Sequence, residues 1–159
     1  MHNLVVGYVV GMADPLHLDE QLCFSLYAAS RAMTAVYRTK LEKLGVTYPQ
    51  YLVLLALWER DGRSVGELCQ ALALDSGTLS PLLKRLAAAG HIERRRSAED
   101  ERRVDIHLTE HGRALRAEAC GIPAQMSAAS GLSMDEYLML QASLRRLTEA
   151  LTSTLEQGE

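Results

Sequence analysis

Residues 64–108 carry a pattern that few folds accommodate: two short capped helices, a tight turn between them, then two strands around a charged turn. Ser64 precedes a helix from Val65 to Leu72, with Glu67 three residues on in capping-box spacing. Ala73-Leu74-Asp75 is the turn. Asp75 or Ser76 caps a second helix bearing Leu79, Leu82, Leu83 and Leu86, which stops at Gly90. His91-Ile92-Glu93-Arg94 and Val104-Asp105-Ile106-His107-Leu108 alternate as strands do, and Ser97-Ala98-Glu99-Asp100-Glu101 is the polar turn between them. Two short helices at a tight turn describe a helix-turn-helix, and a basic hairpin directly after it is a wing.

Helical periodicity continues on both sides. Leu22, Leu26, Ala29, Met33, Val36 and Leu41 recur at helical spacing from Asp19 to about Leu44, closed by Gly45. Thr47-Tyr48-Pro49-Gln50 opens a second helix, with Pro49 in its first turn, running through Leu52, Leu55 and Trp58 to Asp61-Gly62. Thr109 caps a fifth helix that breaks near Gly121 and Pro123, and Ser133 caps a last one from Met134 to about Leu155. Only 5% of residues are aromatic, which favours helices over a large sheet. The expected architecture is mainly α with a small β-wing. A winged helix-turn-helix at about 48–109 is flanked by N- and C-terminal dimerisation helices at about 18–45 and 110–157. Residues 18–159 form a single domain behind a flexible extension, 1–17. Long apolar helices around a small module point to a homodimer, and a palindromic target demands the same two-fold symmetry.

The formal net charge of −3 becomes informative once it is localised. Between residues 84 and 103, seven basic side chains face four acidic ones, a local +3 that leaves −6 for the remainder. A basic stripe on an acidic body is an electrostatic footprint for DNA, because phosphate contact needs a local field rather than a basic average. Lys84, Arg94, Arg95, Arg96 and Arg103 are therefore candidate DNA contacts. Ser76, Gly77, Thr78 and Ser80 stand early in the second helix of the pair, where base edges are usually reached.

Three cysteines, Cys23, Cys69 and Cys120, lack any Cys-x-x-Cys spacing, so neither a disulfide framework nor a metal site is expected, and no cofactor. Leu4 to Val10 is too short to span a membrane and follows no basic cluster. The expectation is a cytoplasmic protein, with reduced thiols and no membrane partner. Cys69 sits amid Leu68 and Leu72 as a packing residue would. Cys23 stands apart. A cysteine early in a helix is most often packing, but unsatisfied N–H groups and the macrodipole there also favour a thiolate. On a DNA-binding chain, that makes it a candidate switch.

The run Asp100-Glu101-Arg102-Arg103-Val104-Asp105-Ile106-His107-Leu108-Thr109-Glu110-His111-Gly112 closely resembles the MarR-family signature. Leu22-Cys23-Phe24, Ala29-Ser30-Arg31-Ala32-Met33, Thr47-Tyr48-Pro49-Gln50-Tyr51, Leu57-Trp58-Glu59 and the run from Asp75 to Leu83 resemble its OhrR branch of organic-hydroperoxide sensors. The similarity runs from about residue 18 to at least 123. It implies a repressor whose reduced homodimer binds an inverted-repeat operator and is released when an organic hydroperoxide oxidises Cys23. It implies that Tyr37 and Tyr48 hydrogen-bond the sulfur from the other subunit; a phenol donating to a thiolate lowers its pKa. It further implies that Arg102 enters the minor groove at the wing tip, with Asp100 holding its guanidinium.

In the two-cysteine class of these sensors a partner cysteine resolves the sulfenic acid. Cys120 is the candidate, and capping by an external thiol or further oxidation is the alternative. Two other classes compete. A MarR-type repressor released by a small aromatic ligand would use Cys23 only as pocket lining. A cysteine peroxidase needs a base near the thiol; the nearest histidine, His17, lies in the expected linker, so no enzyme is expected.

Overall fold

The computed structural model describes residues 16–96 and 103–157. Residues 1–15 of the expected extension lie outside the described residues, as do the polar turn from Ser97, Asp100 and Arg102.

Helix α1 (Leu22–Leu41) is shorter than its periodicity predicts, because 3-10 turns at Leu18–Glu20 and Glu42–Leu44 occupy the two ends. Gly45 closes it at φ +65°, a left-handed conformation that favours glycine. Helix α2 (Tyr48–Glu59) starts as expected: the Thr47 N–H donates to Gln50 Oε1 at 2.8 Å. Then follow β1 (Arg63–Ser64), α3 (Val65–Leu72), α4 (Ser76–Ala88), β2 (Ile92–Arg96), β3 (Val104–Leu108), α5 (Glu110–Ala119), α6 (Ile122–Ala129) and α7 (Met134–Glu156).

The winged helix is present with one strand more than expected. Strand order is β1-β3-β2, all antiparallel, with Ser64 opposite Asp105 and Arg95 opposite Asp105 on the other side. The two residues of β1 are too few for a periodic signal; they pair because β3 offers them an open edge. Strand β2, read from sequence as ending at Arg94, continues to Arg96. Leu41, Val53, Leu54, Leu68, Leu79, Leu83, Leu86 and Ile106 form a fully buried core. The residues up to Ala114 make one compact unit and those from Leu115 a second.

The base of the wing is locked to the start of α5. A Cβ on Gly112 would lie 2.0 Å from the His91 carbonyl oxygen, so only glycine allows this approach. Thr109 Oγ1 donates to the Gly90 carbonyl at 2.6 Å and accepts from the Gly112 N–H at 3.0 Å, capping α5 as expected. Trp58 Nε1 donates to the Gly112 carbonyl at 2.9 Å. His91 is buried and stacks on His111 with ring centroids 4.7 Å apart. Among the described residues its Nδ1 has no hydrogen-bond partner.

Candidate functional site

The second helix of the pair, α4, presents two faces. Leu79, Leu83 and Leu86 are fully buried, while Ser76, Gly77, Thr78, Ser80 and Lys84 are exposed. Its N-terminus is fixed by Asp75, whose Oδ1 accepts from the Thr78 N–H at 2.8 Å and whose Oδ2 accepts from the Thr78 hydroxyl at 2.7 Å. Those bonds, the hydroxyl's first, hold the Asp75 carboxyl below its usual range. With its proton committed to the cap, the Thr78 hydroxyl faces any docking surface as an acceptor. A Cβ on Gly77 would meet Asp75 Oδ1 at 3.0 Å, so glycine relieves the cap as well as opening the helix surface.

On the wing, Arg94, Arg95 and Arg96 are exposed, and Arg95 is ion-paired with Glu93. Arg103, expected from charge to face DNA, is held by two carboxylates of its own chain. Its Nε donates to Asp105 Oδ1 at 2.7 Å and its Nη2 to Glu67 Oε2 at 3.1 Å. Glu67 also accepts from Arg60 Nη2 at 2.5 Å, and from the Ser64 N–H and hydroxyl at 2.7 and 2.8 Å. The Arg60 contact, then the two from Ser64, bring the Glu67 carboxyl down to about 2. Capping-box spacing revealed Glu67 as a cap, while its second role toward Arg103 has no sequence signal. Asp61 was missed in the same way. It accepts from the Leu108 N–H at 2.8 Å and from Arg113 Nη2 at 2.8 Å. Burial alone would raise its pKa, but these bonds and one from the Gly62 N–H prevail and lower it.

The candidate sensor residues divide between the two ends of α1. Cys23 is the second residue of the helix and exposed. Tyr27, one turn on, accepts from Arg31 Nη1 at 2.9 Å. Tyr37 packs against Tyr48 with centroids 4.5 Å apart and rings tilted by 35°, and a ladder continues through Tyr51 to Trp58 in steps of 6.0 Å. Burial, then the neighbouring Tyr48, raises the Tyr51 hydroxyl's pKa. Tyr37 lies fourteen residues beyond Cys23 on one helix, about 21 Å at the α-helical rise, so one chain does not bring thiol and tyrosines together. Tyr48 borders a groove of about 640 Å³ with Thr34, Arg38, Thr39, Glu42 and Thr47. Cys120 is exposed in the turn after α5, Cys69 is half-buried in α3, and all three thiols are free. No helix among the described residues is long and apolar enough to cross a membrane.

A capped recognition helix with a polar outer face, followed by an arginine-bearing hairpin, defines a winged-helix DNA-binding protein. Comparison with known proteins agrees. Residues 35–118 match the family model of the SarA/Rot transcriptional regulators. The HTH-type transcriptional regulator TtmR of Methylorubrum extorquens (strain PA1) is 48% identical over 89% of this chain and 72% of its own length. The organic hydroperoxide resistance transcriptional regulator of Bacillus subtilis (strain 168) is 48% identical over 87% of this chain and 94% of its own. A structure of reduced AbfR bound to DNA, a Staphylococcus epidermidis protein, aligns with a TM-score of 0.74 at 35% identity, covering 87% of this chain and 94% of that one. The chain belongs to the SarA/Rot family of MarR-like winged-helix regulators, and the family resemblance read from sequence is borne out. It is a DNA-binding transcriptional regulator.

Proposed function

We propose that this regulator is a peroxide-responsive repressor: a homodimer that holds an inverted-repeat operator while Cys23 is reduced and leaves it when Cys23 is oxidised. The carrying observation is the separation of Cys23 from the Tyr37–Tyr48 pair along α1. Two copies of α1 running antiparallel, crossing near Ser30, would lay each thiol against the other subunit's tyrosines. The residues around that midpoint, Ala28, Ala29, Ser30 and Ala32, are small and exposed, which permits close helix approach. The 48% identity to a hydroperoxide resistance regulator supports the same reading.

The chemistry follows from this placement. Tyrosine hydroxyls donating to the Cys23 thiolate, together with the helix N-terminus, stabilise its charge. The sulfur attacks the terminal peroxide oxygen; an S–O bond forms and the O–O bond breaks. The alcohol leaves with a proton, and sulfur is oxidised by two electrons to the sulfenic acid. The phenols then lose their anionic acceptor. A second thiol, Cys120 of the other subunit or a small external one, condenses with the sulfenic acid and expels water. The added bulk shifts close-packed elements and with them the recognition helices. Those helices would enter successive major grooves about 34 Å apart, presenting Ser76, Gly77, Thr78, Ser80 and Lys84. Arg94, Arg95 and Arg96 would contact phosphates, and Arg102 the minor groove.

The test is an organic hydroperoxide titration of binding to DNA selected from a random pool, using wild type, Cys23→Ser and Cys120→Ser. Release should vanish in Cys23→Ser; peroxide-driven release that survives there defeats the mechanism. Full release by Cys120→Ser without added thiol removes Cys120 from it. The groove beside Tyr48 supports a second reading, release by a small aromatic ligand, and a repressor of that kind would stay inducible by its ligand in Cys23→Ser.

A further inference from the structure

We propose that Glu67 is the residue that aims the wing: by holding Arg103, it sets the direction from which the hairpin reaches the minor groove. The inference rests on the reading that the wing enters that groove. Pairing of β1 with β3 sets Ser64 opposite Asp105, so the first turn of α3 lies beside the strand returning from the wing. There one carboxylate does two jobs. Glu67 Oε2 closes the capping box on Ser64 and also accepts from Arg103 at 3.1 Å, while Oε1 accepts from Arg60 at 2.5 Å. Arg103 turns its Nε edge to Asp105 at 2.7 Å, so its guanidinium spans carboxylates on α3 and β3.

A planar guanidinium with donors along several edges can be fixed by two acceptors at once, whereas a lysine ammonium is a point charge on a flexible stem. The residue so fixed immediately follows Arg102, which is proposed to enter the groove. Ion pairs this exposed contribute little to stability. Their consequence is geometric: they tie the wing's return strand to the helix-turn-helix. Arg103 acts here as a positioning residue, bound to its own chain while its neighbour meets DNA.

Electrostatics and positioning predict opposite signs for Glu67→Gln. The substitution removes a negative charge near DNA, so a bystander carboxylate would leave binding equal or tighter once it was gone. Glutamine's oxygen still suits the capping box, so α3 keeps its start, but without the negative charge its hold on Arg103 is reduced to a weaker neutral hydrogen bond. The experiment footprints the reduced full-length protein on its selected DNA with hydroxyl radical for the minor groove and dimethyl sulfate for the major groove. It compares wild type, Glu67→Gln, Arg103→Lys and Arg102→Ala. Glu67→Gln and Arg103→Lys should both lose the wing's minor-groove protection and bind about tenfold more weakly, the scale of one lost specific contact. Both should keep the major-groove pattern and the wild-type Tm. Binding by Glu67→Gln that is equal or tighter, with minor-groove protection intact, overturns the proposal if Arg102→Ala has lost that protection. So does simultaneous loss of both patterns in Glu67→Gln and Arg103→Lys, which would mark a merely structural role. Protection that persists in Arg102→Ala overturns the groove reading itself, and this inference with it.

Discussion

Helices α4 and α7 are both leucine-rich and amphipathic, yet they dispose of their leucines in opposite ways. In α4, Leu79, Leu83 and Leu86 are fully buried. In α7, Leu138, Leu151 and Leu155 are 53%, 58% and 74% exposed, and Met139 is 63% exposed. Helix α1 follows α7 in part, with Leu22 61% and Met33 43% exposed. Fully burying one such side chain contributes about 1.5–3 kcal/mol, so these uncovered faces represent substantial unrealised stabilisation. The winged module completes its core within one chain. The terminal helices carry an equally regular stripe whose cover has to come from elsewhere, in our proposal from a second copy.

The sharpest way to break this contrast is to make the same substitution in both regions. Leu83→Ala should cost about 2–5 kcal/mol in denaturant unfolding, independent of protein concentration. Leu138→Ala should cost less than about 0.5 kcal/mol in the isolated chain and instead raise the dimer dissociation constant in sedimentation equilibrium. Equal, concentration-independent losses at the two sites would show that α7 is packed as α4 is.

A smaller effect sharpens the view of the winged module as tightly locked. Gly112→Ala forces a Cβ against the His91 carbonyl, so the backbone at the wing base has to move, and overpacking of this kind costs about 1–3 kcal/mol. Thermal unfolding measures it. An unchanged Tm would mean that the junction of β2 and α5 yields easily.

The smallest effect is set by pH. Burial, then the charge of His111, lowers the His91 pKa below its ordinary 6.5. A depressed folded pKa means that the neutral form is the stabilising one. This contribution is complete above about 6.5 and is lost as pH falls toward the folded value. Stability should therefore stay level from pH 7.5 to about 6.5 and decline below that, by at most about 1.4 kcal/mol per pH unit for one proton. His91→Leu should flatten the profile. Glu67, ionised down to about 2, contributes nothing to the slope in this window.

What was legible in the sequence was local. Ser64 with Glu67, Thr47, Asp75 and Ser133 all start helices where the sequence offers a cap, and Gly45 ends one, because a cap is satisfied within a single turn. The two faces of α4 follow from the 3.6-residue period in the same way. Cys23 was legible as a helix-start thiol, and the exposed arginines of the wing as a local field. The tertiary structure decided the rest. Arg103 meets Glu67 across 36 residues, Leu108 meets Asp61 across 47, Arg113 meets Asp61 across 52, and Trp58 meets Gly112 across 54. Contacts of that span leave no periodicity behind, because either partner alone looks like an ordinary surface charge or helix residue. Arg103 illustrates the cause. Charge alone marks it for DNA, but the register of β1 on β3 brings Glu67 to a guanidinium that Asp105, two residues along the chain, already holds, and that register exists only once the chain has folded.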